Sequence, residues 1–327
     1  MEKGERSKEK GVRSDEKGDS VHKPVLLNEI IGYLTDLPEH PSDISYLDGT
    51  LGGAGHALAV AEALKEKGVR HLTLAGLDRD PAAIARAAVA LQGKASKLIL
   101  ENEDFRNLDR VLDKHGMKAV DLILLDLGIS SDELESSGRG FTFQKDEPLL
   151  MTLGDPARYQ FTAKDIVNGW EEEVLANIIF GYAEEKFARR IARAIVIYRS
   201  KKKIETSMEL AEIVKNAVPP FYRRGKIHPA TKTFQALRIA VNDELEALRE
   251  GLAKGFDRLA PGGRMAVISF HSLEDRIVKG FFKDKGKLGA DVLTKKPVTA
   301  AQEEISSNPR SRSAKLRVIS KNKNQNK

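Results

Sequence analysis

The stretch Asp48 to Ala57, "DGTLGGAGHA", sets an acid, a hydroxyl and four glycines between a short apolar run and a helical pattern. Loops of this composition hold phosphate, dinucleotide or sulfonium cofactors against backbone. A phosphate-cradling loop would need Gly-Lys-Ser/Thr, and none is present. A dinucleotide fingerprint would need G-x-G-x-x-G. Gly49, Gly52, Gly53 and Gly55 lack that spacing, which weakens pyrophosphate binding without eliminating it. Further on, Asp78 ends a second apolar run, Asp104-Phe105 follow a third, and Asp126 ends a fourth. An acid at the position of Asp78 suits a pair of ribose hydroxyls, and Phe105 is placed to lie against an adenine. A sulfonium is cationic, so acids with few phosphate-binding groups point to S-adenosylmethionine rather than NAD. The bland alternative is that acids at strand ends are ordinary loop residues.

These residues need a scaffold. "SDISYLDGT", "HLTLAGLD", "KLILENED" and "AVDLILLDLG" read as strands, with "HALAVAEALKEKG" and "PAAIARAAVALQG" as helices between them. Near-continuous apolar strands alternating with helices mark a parallel sheet covered on both faces. The expected fold class is therefore doubly wound, Rossmann-like α/β. The alternation then stops for roughly ninety residues. "AKDIVNGWEEEVLANIIFGYA", "EKFARRIARAIVIYRSKK" and "SMELAEIVKNAV" read as helices, and a single long helix is expected from Thr231 to "APGG". "RMAVISF" resumes the sheet. The expected organisation is one α/β unit over 21–135 and 228–319, a helical insertion over 136–227, a charged disordered leader over 1–20 and a basic disordered tail over 320–327. Two sequential domains are the alternative.

Composition bounds the class. The 327 residues are 41% hydrophobic and 31% charged, as in a globular protein. No run approaches the roughly 18 apolar residues of a membrane span, and no apolar signal segment opens the chain, so a cytoplasmic protein without membrane contact is expected. With no Cys, disulfides, zinc-thiolate sites, iron–sulfur clusters and thiol nucleophiles are excluded; no metal is expected. Net charge is +6, yet the last twenty residues carry seven Lys/Arg and no acid, leaving −1 for the rest. Such a tail suggests a polyanion, nucleic acid first, or else a solubilising extension.

Taken together, the segments resemble one family: the bacterial methyltransferases that modify N4 of a cytidine in small-subunit ribosomal RNA (the RsmH or MraW family). The resemblance rests on "HKPVLLNEII", "DGTLGGAGHA", "LDRDPAAI", "LLDLGISSDEL", "RGFTF", "EEKFARRIARAIV", "HPATKTFQALRIAVNDELEAL", "GGRMAVISFHSLEDRIVK" and "NPRSRSAKLRV". It implies an S-adenosylmethionine-dependent methyltransferase fold with a helical insertion, acting on cytidine 1402 of 16S rRNA in the small ribosomal subunit. A homodimer is a further expectation. By the family pattern the cofactor touches Ala54, Gly55, His56, Asp78, Phe105 and Asp126, then Glu133, where the family usually has Gln. Ala54 replaces a usual Gly, Leu150 and Thr152 a usual acid and Arg, Ala183 a Gly and Lys186 an Arg. The changes at 150 and 152 keep open a catalytically impaired RNA-binding relative, and a methyltransferase acting on another substrate is a further alternative.

A cytosine amine needs an acceptor on its N4–H, both to hold it in line and to take its proton. Asp126 is the expected catalytic acid group, with Ser130 as an acceptor or, equally, a helix cap. His271, after the fifth strand, is expected to stack on or hydrogen-bond the base, against a structural reading. RNA contacts are expected from Arg190, Arg193, Arg223, Arg224, Arg310 and Arg312, with Arg189, Lys201, Lys315 and Arg317 among further cations.

Overall fold

The computed structural model describes residues 24–37, 41–129, 134 and 137–322. The leader, Ser130, Glu133 and the last five residues lie outside them. In chain order the elements are α1 (Leu27–Thr35), β1 (Asp43–Asp48), α2 (Gly55–Glu66), β2 (His71–Leu77), α3 (Pro81–Ala90), β3 (Lys97–Glu101), α4 (Leu108–Lys114) and β4 (Val120–Asp126). A helical stretch follows: α5 (Ala163–Gly169), α6 (Glu172–Ala183), α7 (Ala188–Arg199), α8 (Ser207–Ala217), α9 (Pro220–Arg223), α10 (Ala230–Asn242) and α11 (Glu244–Asp257). The chain then returns to the sheet with β5 (Leu259–Ser269), α12 (Ser272–Lys287), β6 (Asp291–Val292), α13 (Gln302–Ser307) and β7 (Lys315–Ser320).

The sheet order is β3-β2-β1-β4-β5-β7-β6. The first five strands are parallel, and β7 runs antiparallel between β5 and β6. The direction of winding reverses between β1 and β4. That is the switch point at which open α/β sheets take ligands, beyond the carboxyl ends of the strands. One face packs Tyr46, Leu74, Leu122 and Ile268 against α1 and α2. The other packs Leu47, Ile123, Val267 and the α11 residues Leu248, Leu252 and Phe256. A third core, including Ile179, Ile191, Ile195, Leu210 and Val214, holds the helical stretch together.

Four sequence expectations change. The single helix from Thr231 is two, because Asp243 takes a left-handed conformation (φ 49°) and turns the chain. The turn sends the two halves into different cores: Phe234, Leu237 and Val241 of α10 join the helical core, while α11 covers the sheet. Thus α10 packs with the helical unit rather than with the sheet unit expected from position 228 onward. "APGG" does not end a helix but lies within β5. The cationic last twenty residues are not all tail: Leu316, Arg317, Val318 and Ile319 are buried in β7, within the α/β unit expected to reach 319, and Ser320, expected in the disordered tail, ends that strand. Alternation does not reveal this strand, since four consecutive positions are buried and one of them is an arginine. Among the described residues no helix is long and apolar enough to cross a membrane.

Candidate active site

The loop after β1 is built by backbone bonds to its neighbours. Gly49 N–H donates to Leu124 O of β4 (2.9 Å) and Leu51 N–H to Leu77 O of β2 (2.9 Å). Thr50 ties β1 to β4: its Oγ1 accepts from Asp126 N–H (2.6 Å), and its own N–H donates to Asp48 Oδ1 (3.1 Å). Gly52, at φ 51°, donates its N–H to Asp78 Oδ2 (2.7 Å). Gly55 lets α2 begin against Pro24, since a Cβ there would lie 2.5 Å from the Pro24 ring. By contrast a Cβ on Gly53 would meet nothing within 4 Å; this is the glycine that leaves the loop open to a ligand. Ala54 is buried and does not line the cleft. Its φ of 62° accounts for glycine as the usual residue there. The left-handed strain, about 1–2 kcal/mol, is offset by a buried methyl worth roughly 0.8 kcal/mol and by the unfolded-chain entropy that glycine would add.

A cleft opens over this loop at the switch point. Its walls include Gly53, Gly55, His56, Asp78, Phe105 and Asp126, and it contains about 1220 Å³ of empty space, part of it open to solvent. Asp78, Phe105 and Asp126 are thus brought together from three strand ends. Phe105 sits in a short 3-10 turn capped by Asp104 and abuts Gly251 of α11 so closely that a Cβ there would lie 2.5 Å from its ring.

The electrostatics are those of an acid pocket short of cations. Burial pushes Asp48 up to about 6, partly offset by nearby His56. Burial likewise pushes Asp126 up to about 7, helped by the charge of Glu274. Burial also raises Asp78, against the amides of Asp80 and Gly52 that favour its ionised form. His56 is held below its usual value by burial. Its Nε2 lies 2.8 Å from Val25 O, which fixes the proton on Nε2 and leaves Nδ1 as a lone pair 3.5 Å from Asp126 Oδ2. Asp126 Oδ1 is buried with no partner among the described residues. A cation or N–H donor in the cleft would meet the carboxyl, which is 18% exposed although Oδ1 itself is covered. The donor set therefore fits a sulfonium cofactor with an amino-acid tail better than it fits a pyrophosphate.

Sequence reasoning missed much of the wall. Glu103, Glu244, Leu248, Phe270 and Glu274 all line the cleft. Glu244 is the first residue of α11, and Arg238 grips it with two hydrogen bonds (2.8 and 2.7 Å). The signal was the Asn-Asp pair inside an otherwise helical pattern, a place where a helix stops. Next to it, buried Asn242 accepts from Leu153 N–H (2.8 Å) and donates to Met151 O (2.8 Å), placing Leu153 on the cleft wall. Leu150 and Thr152 are absent from that wall. The N–H groups of Leu150 and Met151 bond to Arg139 O, so backbone holds this loop where the family pattern has an acid and an arginine.

His271 caps α12. Its N–H and that of Phe270 donate to Glu274 Oε2, and its Nδ1 accepts from Glu274 N–H (3.4 Å). Phe270 and Glu274, rather than His271, reach the cleft. Burial would raise Glu274, but His271 and Arg238 hold its carboxyl below the usual value. Arg310 lies at the cleft rather than on a remote tail. Arg317 is not a free phosphate contact: it is buried against Asp275 (2.7 Å). Arg190, Arg193, Arg223, Arg224 and Arg312 are exposed, and Arg223 donates to the carbonyls of Val218 and Asn216.

Comparison with known proteins identifies the family. Residues 19–322 match the model of the MraW methylase family. A protein of Persephonella marina named ribosomal RNA small subunit methyltransferase H is 46% identical over 91% of this chain and 98% of its own length. Proteins of the same name from Deinococcus radiodurans (48% identical; 91% of this chain, 88% of the relative) and Heliobacterium mobile (42%; 92% and 98%) are similar throughout. The chain belongs to the MraW methylase family of S-adenosylmethionine-dependent methyltransferases.

Proposed function

We propose that this protein methylates the exocyclic N4 of a cytidine in small-subunit ribosomal RNA, the one at position 1402 of 16S rRNA. The observation that carries the reading is Asp126: a carboxyl at the switch point that lines the cleft with 18% of its side chain exposed, and with Oδ2 beside an imidazole lone pair. Bound S-adenosylmethionine supplies an electrophilic methyl on a cationic sulfur. Gly55 and His56 at the start of α2, Asp78, Phe105 and Asp126 would hold it, with Glu133 from the adjoining segment.

The cytosine amine is a weak nucleophile because its lone pair is delocalised into the ring. Asp126 accepts one N4–H and turns the amine toward the methyl, a positioning task. As N4 gains the methyl it must lose a proton, and Asp126 is the acceptor. His56 Nδ1 then receives a hydrogen bond from the protonated carboxyl, since its lone pair already faces that oxygen. Ser130 remains a candidate second acceptor, and His271 acts through Glu274 by fixing its orientation. The excess of acids at this end of the cleft favours an amine over the carbonyl of a uracil.

Nucleoside mass spectrometry of 16S rRNA from cells with and without the gene tests the proposal. N4-methylated cytidine at 1402 should disappear with the gene; its persistence would sink the assignment. Cofactor binding is tested separately. Asp78→Asn should weaken S-adenosylmethionine affinity by about 10- to 100-fold, the worth of a charge-assisted hydrogen bond. Calorimetry showing wild-type affinity would remove Asp78 from the binding set.

A further inference from the structure

Phe221 is 68% exposed, unusual for so large an apolar side chain. It belongs to α9, a single turn fixed by prolines on its amino side and by Arg223, whose guanidinium donates to Val218 O (3.1 Å) and Asn216 O (3.0 Å). Beneath it, Phe187 packs edge-on against both Phe221 (ring centroids 6.3 Å apart) and Tyr222 (4.9 Å). Lys186 Nζ lies 5.4 Å from the Phe187 ring and 5.2 Å from that of Tyr222. The rigid ring therefore stands out of an aromatic cluster into solvent. Cations surround it in sequence and on the neighbouring turn: Lys186, Arg189, Arg190, Arg224 and Lys226, all exposed.

The cluster is tied to the active-site cleft. Glu184, two residues before Lys186, bonds Arg276 of α12 (3.1 Å) and accepts from Lys232 at its carbonyl (3.1 Å). Arg276 follows Glu274 of the cleft wall by two residues on the same helix.

We propose that Phe221 is a stacking platform for an unpaired base near the target cytidine, with the surrounding cations holding the phosphates of that strand. The inference rests on the rRNA reading and names the segment of RNA recognised. An exposed aromatic among cations is the arrangement that takes single-stranded nucleic acid, because every base has a face to stack while lysine and arginine follow the backbone. An apolar partner protein would not call for the cations, and phosphate alone would not call for the ring.

The test uses the full chain and a labelled single-stranded RNA carrying the target cytidine and its flanking nucleotides. Phe221→Ala should weaken binding by roughly 5- to 100-fold, with S-adenosylmethionine affinity and melting temperature unchanged. Phe221→Trp should restore affinity to within about threefold of wild type. The salt dependence of binding should be the same for Phe221→Ala as for wild type, whereas Lys226→Ala should reduce its slope by about one. Phe221→Ala binding within twofold of wild type overturns the platform, as does failure of Trp to restore it. Loss of self-association in Phe221→Ala, seen by sedimentation with RNA affinity intact, also overturns it and marks a contact between copies. A wild-type protein that binds this RNA but leaves 16S rRNA unmethylated refutes the proposed reaction and not the platform.

Discussion

Asp126→Asn should slow methyl transfer by a factor of about 100 to 10,000, the usual range for removing a positioned acid–base group. The exchange keeps the shape of the side chain and deletes its ability to take a proton. It also turns an acceptor that faces the amine into a group half of whose polar surface repels it. Cofactor affinity should change less, because Gly55, His56, Asp78 and Phe105 remain. Single-turnover methylation and calorimetry on the same preparation separate the two effects. The pH profile sharpens the test. The ionised carboxylate is the active form, and burial pushes Asp126 up to about 7. The wild-type rate at subsaturating RNA should therefore rise about tenfold per pH unit below that value and level off above it. The titratable groups facing Asp126 are His56, Asp48, Tyr46 and Glu274. Asp48, pushed up to about 6, adds curvature only at the acid end. The Asn variant should lose the limb near 7. A variant rate within threefold of wild type would show that N4 loses its proton elsewhere.

The sheet and its carboxyl edge are legible in the sequence because each strand is a short apolar run ended by a polar residue. Asp48, Asp78, Phe105 and Asp126 stand in the structure at the strand ends where period and punctuation set them. What escapes is set by contacts distant in sequence. Glu244 reaches the cleft because the chain turns at Asp243 between two helices whose apolar faces continue one periodic pattern; periodicity alone merges them. By charge Arg310 reads as part of a tail, yet it lies at the cleft, and β7 just after it is anchored in the core by Leu316, Val318 and Ile319. Arg317 reads the same way and is buried, because Asp275 neutralises it from a neighbouring helix. Net charge counts cations without saying which already have partners. The glycines are only partly legible as well: Gly55 serves packing against Pro24, and Gly53 provides the opening.

The arrangement that makes Asp126 useful should also weaken the fold, and the same Asn exchange should reveal it. A carboxyl whose folded pKa is raised binds its proton more tightly in the folded than in the unfolded state. Its effect on stability is neutral below the unfolded value near 4, turns unfavourable as pH rises between the two values, and is fully adverse above about 7. A tenfold difference in proton affinity between the two states corresponds to about 1.4 kcal/mol. A rise from near 4 to about 7 then sets an upper bound near 4 kcal/mol, which relaxation around the cleft and the facing His56 reduce to about 1–3 kcal/mol. Asp126→Asn should thus raise the melting temperature of the cofactor-free protein at pH 8 by roughly 3–10 °C. The gain should shrink to a small remainder near pH 4, where the carboxyl is neutral in the folded state and about half ionised in the unfolded one. Asp48→Asn should gain less. Its pKa is raised less, and its carboxylate already accepts from Thr50 N–H and Tyr46 Oη, bonds that an amide keeps only in part. Saturating S-adenosylmethionine should narrow the difference, because a cationic ligand favours the ionised wild-type carboxylate and stabilises that protein more. Calorimetry at pH 4 and 8, with and without cofactor, reads all of these effects. An Asp126→Asn protein that melts below wild type at pH 8 without cofactor would mean the carboxylate is satisfied in the folded state, and Asp126 could no longer be assigned to the substrate.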